Sequence, residues 1–340
     1  MDFVASLTWN ASEIRQVSRL WEDSGDPRNP FAHVLVSPLF ANPSTLRAVR
    51  EIQQRWNSTI YFDSGGYYVQ QGRIGYAELC DRLREYYQQP DNQWASYYVL
   101  PDNVPTSTDS TTDVDQKVAE TRTVAKQFFY SMPTTLQEQA MPVIQGHTAQ
   151  QIYQCVDTYS QLGTRLVGFG SFGTSGSTNS INTVNDTSYQ MLKHVRDLTA
   201  HHGMRVHLFG IGTPPILYFF QQMGFDSFDS MSWARAAGFG NAFLPFMKGF
   251  MVSQTSQAMF RSSLDREDFE RLKLITEHQC PFCDDFIKLS NNRFYRIVHN
   301  LACMLDTLDL MQTWNKERIF ETIQMVSPRY MRYYREWVEL

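Results

Sequence analysis

Three aspartates and a glutamine each stand just after a short apolar run, and each can move or read a proton. Asp63 follows Ile60-Tyr61-Phe62 and opens Asp63-Ser64-Gly65-Gly66-Tyr67. Asp102 follows Tyr97-Tyr98-Val99-Leu100-Pro101, Gln145-Gly146 follows Pro142-Val143-Ile144, and Asp229 follows Phe225-Asp226-Ser227-Phe228. One such aspartate alone is more often a turn residue or a helix cap. A set of them at successive run ends reads as one pocket. Two carboxylates in a pocket can divide the work of nucleophile and general acid–base, because their surroundings set different pKa values. Asp102 and Gln145 together offer the acceptors and donor that read the edge of a purine-like base. Gly168 and Gly170, in Gly168-Phe169-Gly170-Ser171-Phe172-Gly173, let backbone approach a flat ligand, and Tyr67 or Tyr68 could stack on it. The set fits chemistry at a glycosidic bond to a nucleobase, and also glycoside hydrolysis.

The runs that carry these residues are short and β-prone: His33–Ser37, Ile60–Phe62, Tyr97–Leu100, Pro142–Ile144, Arg165–Phe169, Arg205–Phe209 and Ser227–Phe228. Helical segments lie between them: Ser44–Trp56, Tyr76–Gln88, Val114–Met132, Thr148–Gln161, Ser188–His202 and Pro214–Met223. Steady alternation predicts a parallel sheet with helices outside. Seven units and an unplaced eighth predict a (β/α)₈ barrel over residues 1–260, whose catalytic groups gather after the strands. An open doubly wound sheet is the alternative, weakened because no Gly-x-Gly-x-x-Gly opens the first unit. Two polar loops, Thr106–Asp115 and Ser171–Asp186, read as solvated surface or as a lid. After Arg261 the pattern turns helical and carries cysteines, which predicts an appended subdomain over 261–340.

Composition narrows the classes. The chain has 340 residues, of which 42% are hydrophobic, 14% aromatic and 19% charged, so it folds around a large core and is not disordered. No apolar stretch of about 18 residues predicts a membrane helix, and Met1–Ser6 lacks the basic start of a secretory signal. Five cysteines, an odd and sparse set, predict a reducing, cytoplasmic setting, with Cys280 and Cys283 as a possible metal pair. A net charge of −5 argues against a broad phosphate-binding surface but leaves room for a local basic groove. Arg329, Arg332, Arg335 and Tyr330, Tyr333, Tyr334 near the C-terminus read as packed aromatics with solvated arginines, or as a nucleic-acid contact.

Taken in order, these elements resemble the tRNA-guanine transglycosylase superfamily from about Pro38 to His299. The resemblance rests on Asp63-Ser64-Gly65-Gly66-Tyr67, Asp102, Gln145-Gly146, the glycine run at 168–173, His207-Leu208-Phe209-Gly210-Ile211-Gly212-Thr213-Pro214, Phe228-Asp229 with Arg235, and the cysteine segment. It implies a barrel with a zinc subdomain and exchange of guanine for a 7-deazaguanine base. It implies Asp229 as nucleophile at the anomeric carbon and Asp63 as the acid–base on the glycosidic nitrogen. Asp102, Gln145 and Gly146 with Ser64 would read the base, Gly168, Phe169 and Gly170 would contact it through backbone, and Tyr67 would stack. Arg235 would face the nucleic acid.

The metal segment departs from the family's Cys-x-Cys-x-x-Cys by placing His278 first, giving His278-Gln279-Cys280-Pro281-Phe282-Cys283. Imidazole is an acceptable zinc ligand, so the resemblance implies structural Zn²⁺ on His278, Cys280, Cys283 and His299. Cys303 is the alternative fourth ligand, and a reduced pair without metal the alternative to the site. After Asp229 the chain reads Ser230-Met231-Ser232-Trp233-Ala234-Arg235, where tRNA-acting members carry a cysteine and a proline–threonine pair. That divergence, the short length and the acidic balance resemble the branch that modifies DNA. DNA is the expected polymer, with tRNA second and a silent nucleic-acid-binding subunit third. Helper proteins that open a duplex are a further expected partner.

Overall fold

The computed structural model describes residues 1–106, 108–172, 184–253 and 264–335. Nine parallel segments form the main sheet: β1 (Asp2–Ser6), β2 (His33–Val36), β3 (Thr59–Phe62), β4 (Tyr97–Val99), β5 (Ala140–Met141), β6 (Val143–Ile144), β7 (Leu166–Phe169), β8 (Arg205–Leu208) and β9 (Ser227–Ser230). Their order is β5-β4-β3-β2-β1-β9-β8-β7-β6. The two ends of that order are neighbours in sequence, separated by Pro142 alone. Proline has no N–H, so the ladder breaks there. Its carbonyl still accepts from Gly168 N–H at 2.9 Å. The two short segments therefore act as one strand, and the ring is a (β/α)₈ barrel.

Helices cover the outside: α1 (Ala11–Asp23), α2 (Pro43–Trp56), α3 (Gly66–Gln70), α4 (Tyr76–Gln88), α5 (Thr111–Ser131), α6 (Thr134–Gln137), α7 (Ala149–Gln161), α8 (Asp186–His201), α9 (Pro214–Gln222) and α10 (Ser232–Gly238). Their starts are written in the sequence. Ser110 caps α5 in a reciprocal box with Asp113, and Thr148 and Gln151 do the same for α7. The box corrects one expectation, since Thr111–Asp115 is the first turn of α5 rather than loop. The other polar loop lies mostly at residues 173–183, outside the described residues.

The eighth unit is β1 with α1. Its strand is three apolar residues between Asp2 and Ser6 at the chain start, too short a run to show a period. Strand side chains alternate between the two faces. Val4, Leu35, Tyr61, Val99, Met141, Val143 and Leu166 fill the barrel interior. Their neighbours Ala5, Val34, Val36, Phe62, Val167, Phe169, Leu208 and Phe228 pack under the helices. Carried to the strand ends, the same parity turns Ser6, Ser37, Asp63, Gln145 and Asp229 toward the interior.

Beyond the barrel come a small hairpin, β10 (Asn241–Ala242) with β11 (Phe250–Met251), and α11 (Arg266–Thr276), α12 (Phe286–Asn291), α13 (Arg293–Thr313) and α14 (Lys316–Val326). Helix α13 packs on α10, α1 and α9, and its residues share one apolar core with the barrel. The expected boundary at 260/261 lies outside the described residues. The C-terminal tyrosines are packed: Tyr334 Oη donates to the Pro215 carbonyl at 2.9 Å, and Tyr333 Oη donates to that of Val184 at 2.8 Å. No helix among the described residues is long and apolar enough to cross a membrane.

Close approach fixes Gly212, where a Cβ would lie 2.5 Å from two ring carbons of fully buried Phe228. Gly212→Ala is expected to destabilise the fold by about 1–3 kcal/mol, the usual cost of overpacking. Gly238→Ala, at a helix end where a Cβ would meet only Arg293 Nε at 4.0 Å, is expected to change stability by less than about 0.5 kcal/mol. Chemical denaturation of both variants checks the difference.

Candidate active site and metal centre

Asp229 lies in β9, one residue before its end at Ser230, and is 5% exposed. Three donors address it: Ser6 Oγ at 2.6 Å on Oδ2, and Gly210 N–H at 2.6 Å with His207 Nε2 at 3.3 Å on Oδ1. His207 is fully buried, its Nδ1 lies 2.9 Å from Ser227 Oγ, and its ring stacks on Tyr61 at 5.6 Å. When Ser227 donates to Nδ1, Nε2 carries the proton and donates to Asp229. Neither His207 nor Ser6 was assigned a role from sequence. Both share the inward parity of Asp229, a signal that needed β1 and β8 in register to be read.

Asp63 follows β3, and Ser37 Oγ donates to its Oδ2. Burial pushes its carboxyl above the ordinary range, and the negative charge of Asp229 adds to the push, against the Ser37 hydrogen bond. Asp102 is buried; Ser64 Oγ donates to Oδ1 and Gln145 Nε2 donates to Oδ2, both at 2.7 Å. Burial, then the charge of Asp63, push its carboxyl up to about 6. Ser171 Oγ donates to Gln145 Oε1 and accepts from Gly146 N–H at 2.7 Å. Ser64, Asp102, Gln145, Ser171 and Gly146 thus form one hydrogen-bonded row along the mouth.

The glycines divide. A Cβ on Gly170 would lie 2.8 Å from Gln145 Nε2, and one on Gly66 would lie 2.6 Å from Asp102 Oδ1, so both serve the row. A Cβ on Gly168 would lie 2.0 Å from a Phe209 ring carbon, so that glycine makes room for Phe209. The Phe169 ring points outward, 5.1 Å from Phe172 in the helix-side core, which leaves only its backbone to face a ligand. Tyr67 is 41% exposed on α3, edge-on to Tyr68, which stacks on Phe40 at 3.7 Å. A cleft of about 130 Å³ lined by Thr8, Trp9, Ser37, Phe40, Asn42 and Tyr68 opens beside Asp63. Arg235 is half-buried on α10.

A second cluster lies at the foot of α13. His278, Cys280, Cys283 and His299 are buried, with one ligand atom from each within 4.8 Å of the others. The sulfurs are 3.1 Å apart, and His299 Nδ1 is 3.5 Å from each. His299 turns its other nitrogen, Nε2, to the Phe243 carbonyl at 2.9 Å. His278 gives Nδ1 to Asp306 at 2.5 Å, and its buried Nε2 has no hydrogen-bond partner. A buried ring nitrogen without a partner is costly, and an ion would satisfy it. Two thiols and two such imidazoles are a donor set that fits a tetrahedral metal. Cys303, buried on α13, is outside the cluster of four.

The Ser37 contact yields a directional test. Its hydrogen bond favours the charged form of Asp63, so Ser37→Ala is expected to raise the Asp63 pKa further. Carbonyl-labelled NMR titration of Asp63 in the two proteins measures the shift; an unchanged or lowered value contradicts it.

No curated protein matches the chain. A family model described as queuine tRNA-ribosyltransferase matches residues 95–312. That span holds Asp102, Gln145, Asp229 and all four residues of the metal cluster. With the barrel and its converging carboxylates, the match places the chain in the queuine tRNA-ribosyltransferase family, whose members are base-exchanging transglycosylases acting on nucleic acid.

Proposed function

We propose that this protein exchanges guanine in DNA for a 7-deazaguanine base through a nucleotide linked covalently to Asp229. The observation that carries the reading is the convergence of Asp229, Asp63 and the Asp102–Gln145 row at one barrel mouth. Asp229 attacks the anomeric carbon; its oxygen–carbon bond forms as the bond to the guanine nitrogen breaks. Asp63, in its protonated form, which burial and the charge of Asp229 favour, gives a proton to the departing base. The incoming base returns a proton to Asp63, attacks the same carbon and frees Asp229. Asp102 accepts from the N–H groups on the guanine edge, and the Gln145 amide donates to its carbonyl oxygen. Ser64 and Gly146 hold that pair, Gly168, Phe169 and Gly170 present backbone, Tyr67 stacks, and Arg235 meets a phosphate.

In this reading His278, Cys280, Cys283 and His299 hold structural Zn²⁺, which cross-links the segment beyond the barrel. Residues 1–260 form the catalytic core and 261–340 the zinc subdomain with closing helices. A reducing, cytoplasmic setting suits five buried cysteines that are all free. DNA is supported by the divergent segment after Asp229, which enters α10 directly with Trp233 buried. The tRNA reading is favoured by the description of the matched family.

A base in a duplex cannot reach a barrel mouth without extrusion, at a cost of a few kcal/mol. Exchange of labelled guanine is therefore expected in single-stranded DNA and weakly in duplex DNA, with affinity falling modestly as salt rises. A partner that opens the duplex is expected to raise the second rate. Asp229→Asn should abolish exchange with the fold intact, and the parent protein should leave a denaturant-resistant adduct when the incoming base is withheld. Exchange in tRNA alone makes tRNA the substrate. A folded, zinc-loaded protein inactive on every polymer supports the silent subunit.

The base-reading role has its own pH signature. Guanine needs the ionised, acceptor-only form of Asp102, whose carboxyl burial pushes up to about 6. Affinity for guanine is expected to rise with pH through that value and then level off. Asp102→Asn should bind weakly and show no such step, as read by calorimetry across pH.

A further inference from the structure

We infer that Asp306 is the positioning residue that fixes His278 as a metal ligand, and that Arg28 of the barrel holds Asp306 in place. The inference rests on the metal reading of the Cys/His cluster and is independent of the polymer. His278 can present a nitrogen to the cluster only if its other nitrogen is held. That hold is Asp306 Oδ2 on Nδ1 at 2.5 Å, with Nε2 left buried and unpartnered on the ligand side. Asp306 lies seven residues past His299 on α13, two helical turns along the same face. One helix thus supplies a ligand and the group that aims another.

The second oxygen of Asp306 is taken by Arg28 Nη1. Arg28 belongs to the barrel, in the loop between α1 and β2, and its carbonyl accepts from Trp21 Nε1 at 3.0 Å. Its guanidinium is pinned by Asp26, with Nη2 to Oδ2 at 2.6 Å and Nε to Oδ1 at 3.0 Å, and it reaches Asp309 at 3.2 Å. A carboxylate on a ligating imidazole fixes its tautomer and strengthens it as a donor. His299 lacks such a partner, since its second nitrogen meets a neutral backbone carbonyl. The two imidazoles of the site are therefore oriented differently, and the one at the position where the family carries cysteine depends on a side chain.

The test is zinc affinity of the full chain, by competition with a chromophoric chelator, together with the rise in thermal stability that zinc produces. Asp306→Ala is expected to weaken zinc about 10–100-fold, the usual cost of losing such a partner, and to shrink that rise. Asp306→Asn, which keeps the volume and an acceptor, is expected to lose less and decides the matter if Asp306→Ala does not fold. Arg28→Gln should lose less again, in the same direction. Asp309→Ala, which touches Arg28 but not His278, should bind zinc as the parent does. Parent-like affinity in both Asp306 variants overturns the inference, as does a loss of metal-free stability with affinity unchanged. Failure of the parent chain to bind zinc overturns the metal reading itself.

Discussion

A closed barrel has one inside, and strand alternation decides which residues see it. That constraint orders this molecule. Val4, Leu35, Tyr61 and Val143 fill the interior, and two residues further on the same parity delivers Ser6, Ser37, Asp63 and Gln145. Ser227 and Asp229 follow the same rule on β9. Parallel strands end together, so groups far apart in sequence arrive at one mouth. A slip of one residue in any of these strands would turn its polar group onto the apolar helix face. Pro142 completes the arrangement, because it lets one strand pair with β4 on one side and β7 on the other.

Burial alone would give the mouth three carboxylates of one kind. Their partners make them different. Asp229 is met by a hydroxyl, a backbone N–H and an imidazole. Asp102 is met by a hydroxyl and an amide, and its oxygens are both engaged. Asp63 has a single side-chain donor, Ser37, and feels the charge of Asp229. Backbone N–H groups of Ser64 and Gly65 also address Asp63, and burial beside another anion raises its carboxyl against these donors. The differences among the three carboxylates thus follow from which neighbours the strand ends supply.

Much of this was legible in the sequence, for physical reasons that can be named. Helix periodicity and caps are local, so the expected starts at Ser44, Thr148 and Ser188 fall within two residues of those observed, where Asn42, Thr148 and Asn185 cap the helices. The expected helix Tyr76–Gln88 is α4 as it stands. Strand-end aspartates are legible because the apolar run before them is. The strand β1 was not, since three apolar residues at a chain start carry no period, and Ser6 was lost with it. His207 stood inside a recognised motif without a role, because its partner Asp229 lies on the next strand. The outward turn of Phe169 was a matter of parity, and the reason for Gly168 was the Phe209 ring, a contact between two strands. The fourth ligand is open in sequence between His299 and Cys303 because spacing along α13 allows both; the turn of the helix brings His299, not Cys303, into the cluster of four.

The segment beyond the barrel is less separate than its sequence suggests. Helix α13 carries His299, and the next residue, Asn300, donates to the Trp233 carbonyl at 2.8 Å and accepts from Phe243 N–H at 2.7 Å. Trp233 lies four residues past Asp229, and its indole N–H donates to the Ser230 carbonyl at 2.9 Å. Its ring meets Trp9, just beyond β1, at 5.0 Å. An ion held by the Cys/His cluster would therefore fix α13, and α13 fixes the backbone that leaves β9. Because the unfolded chain has no preformed site, the free energy of binding such an ion is folding free energy. Much of it would be spent on the helix that clamps the strand ends of Asp229 and Ser6. A metal remote from the barrel mouth would then still set how firmly Asp229 is held.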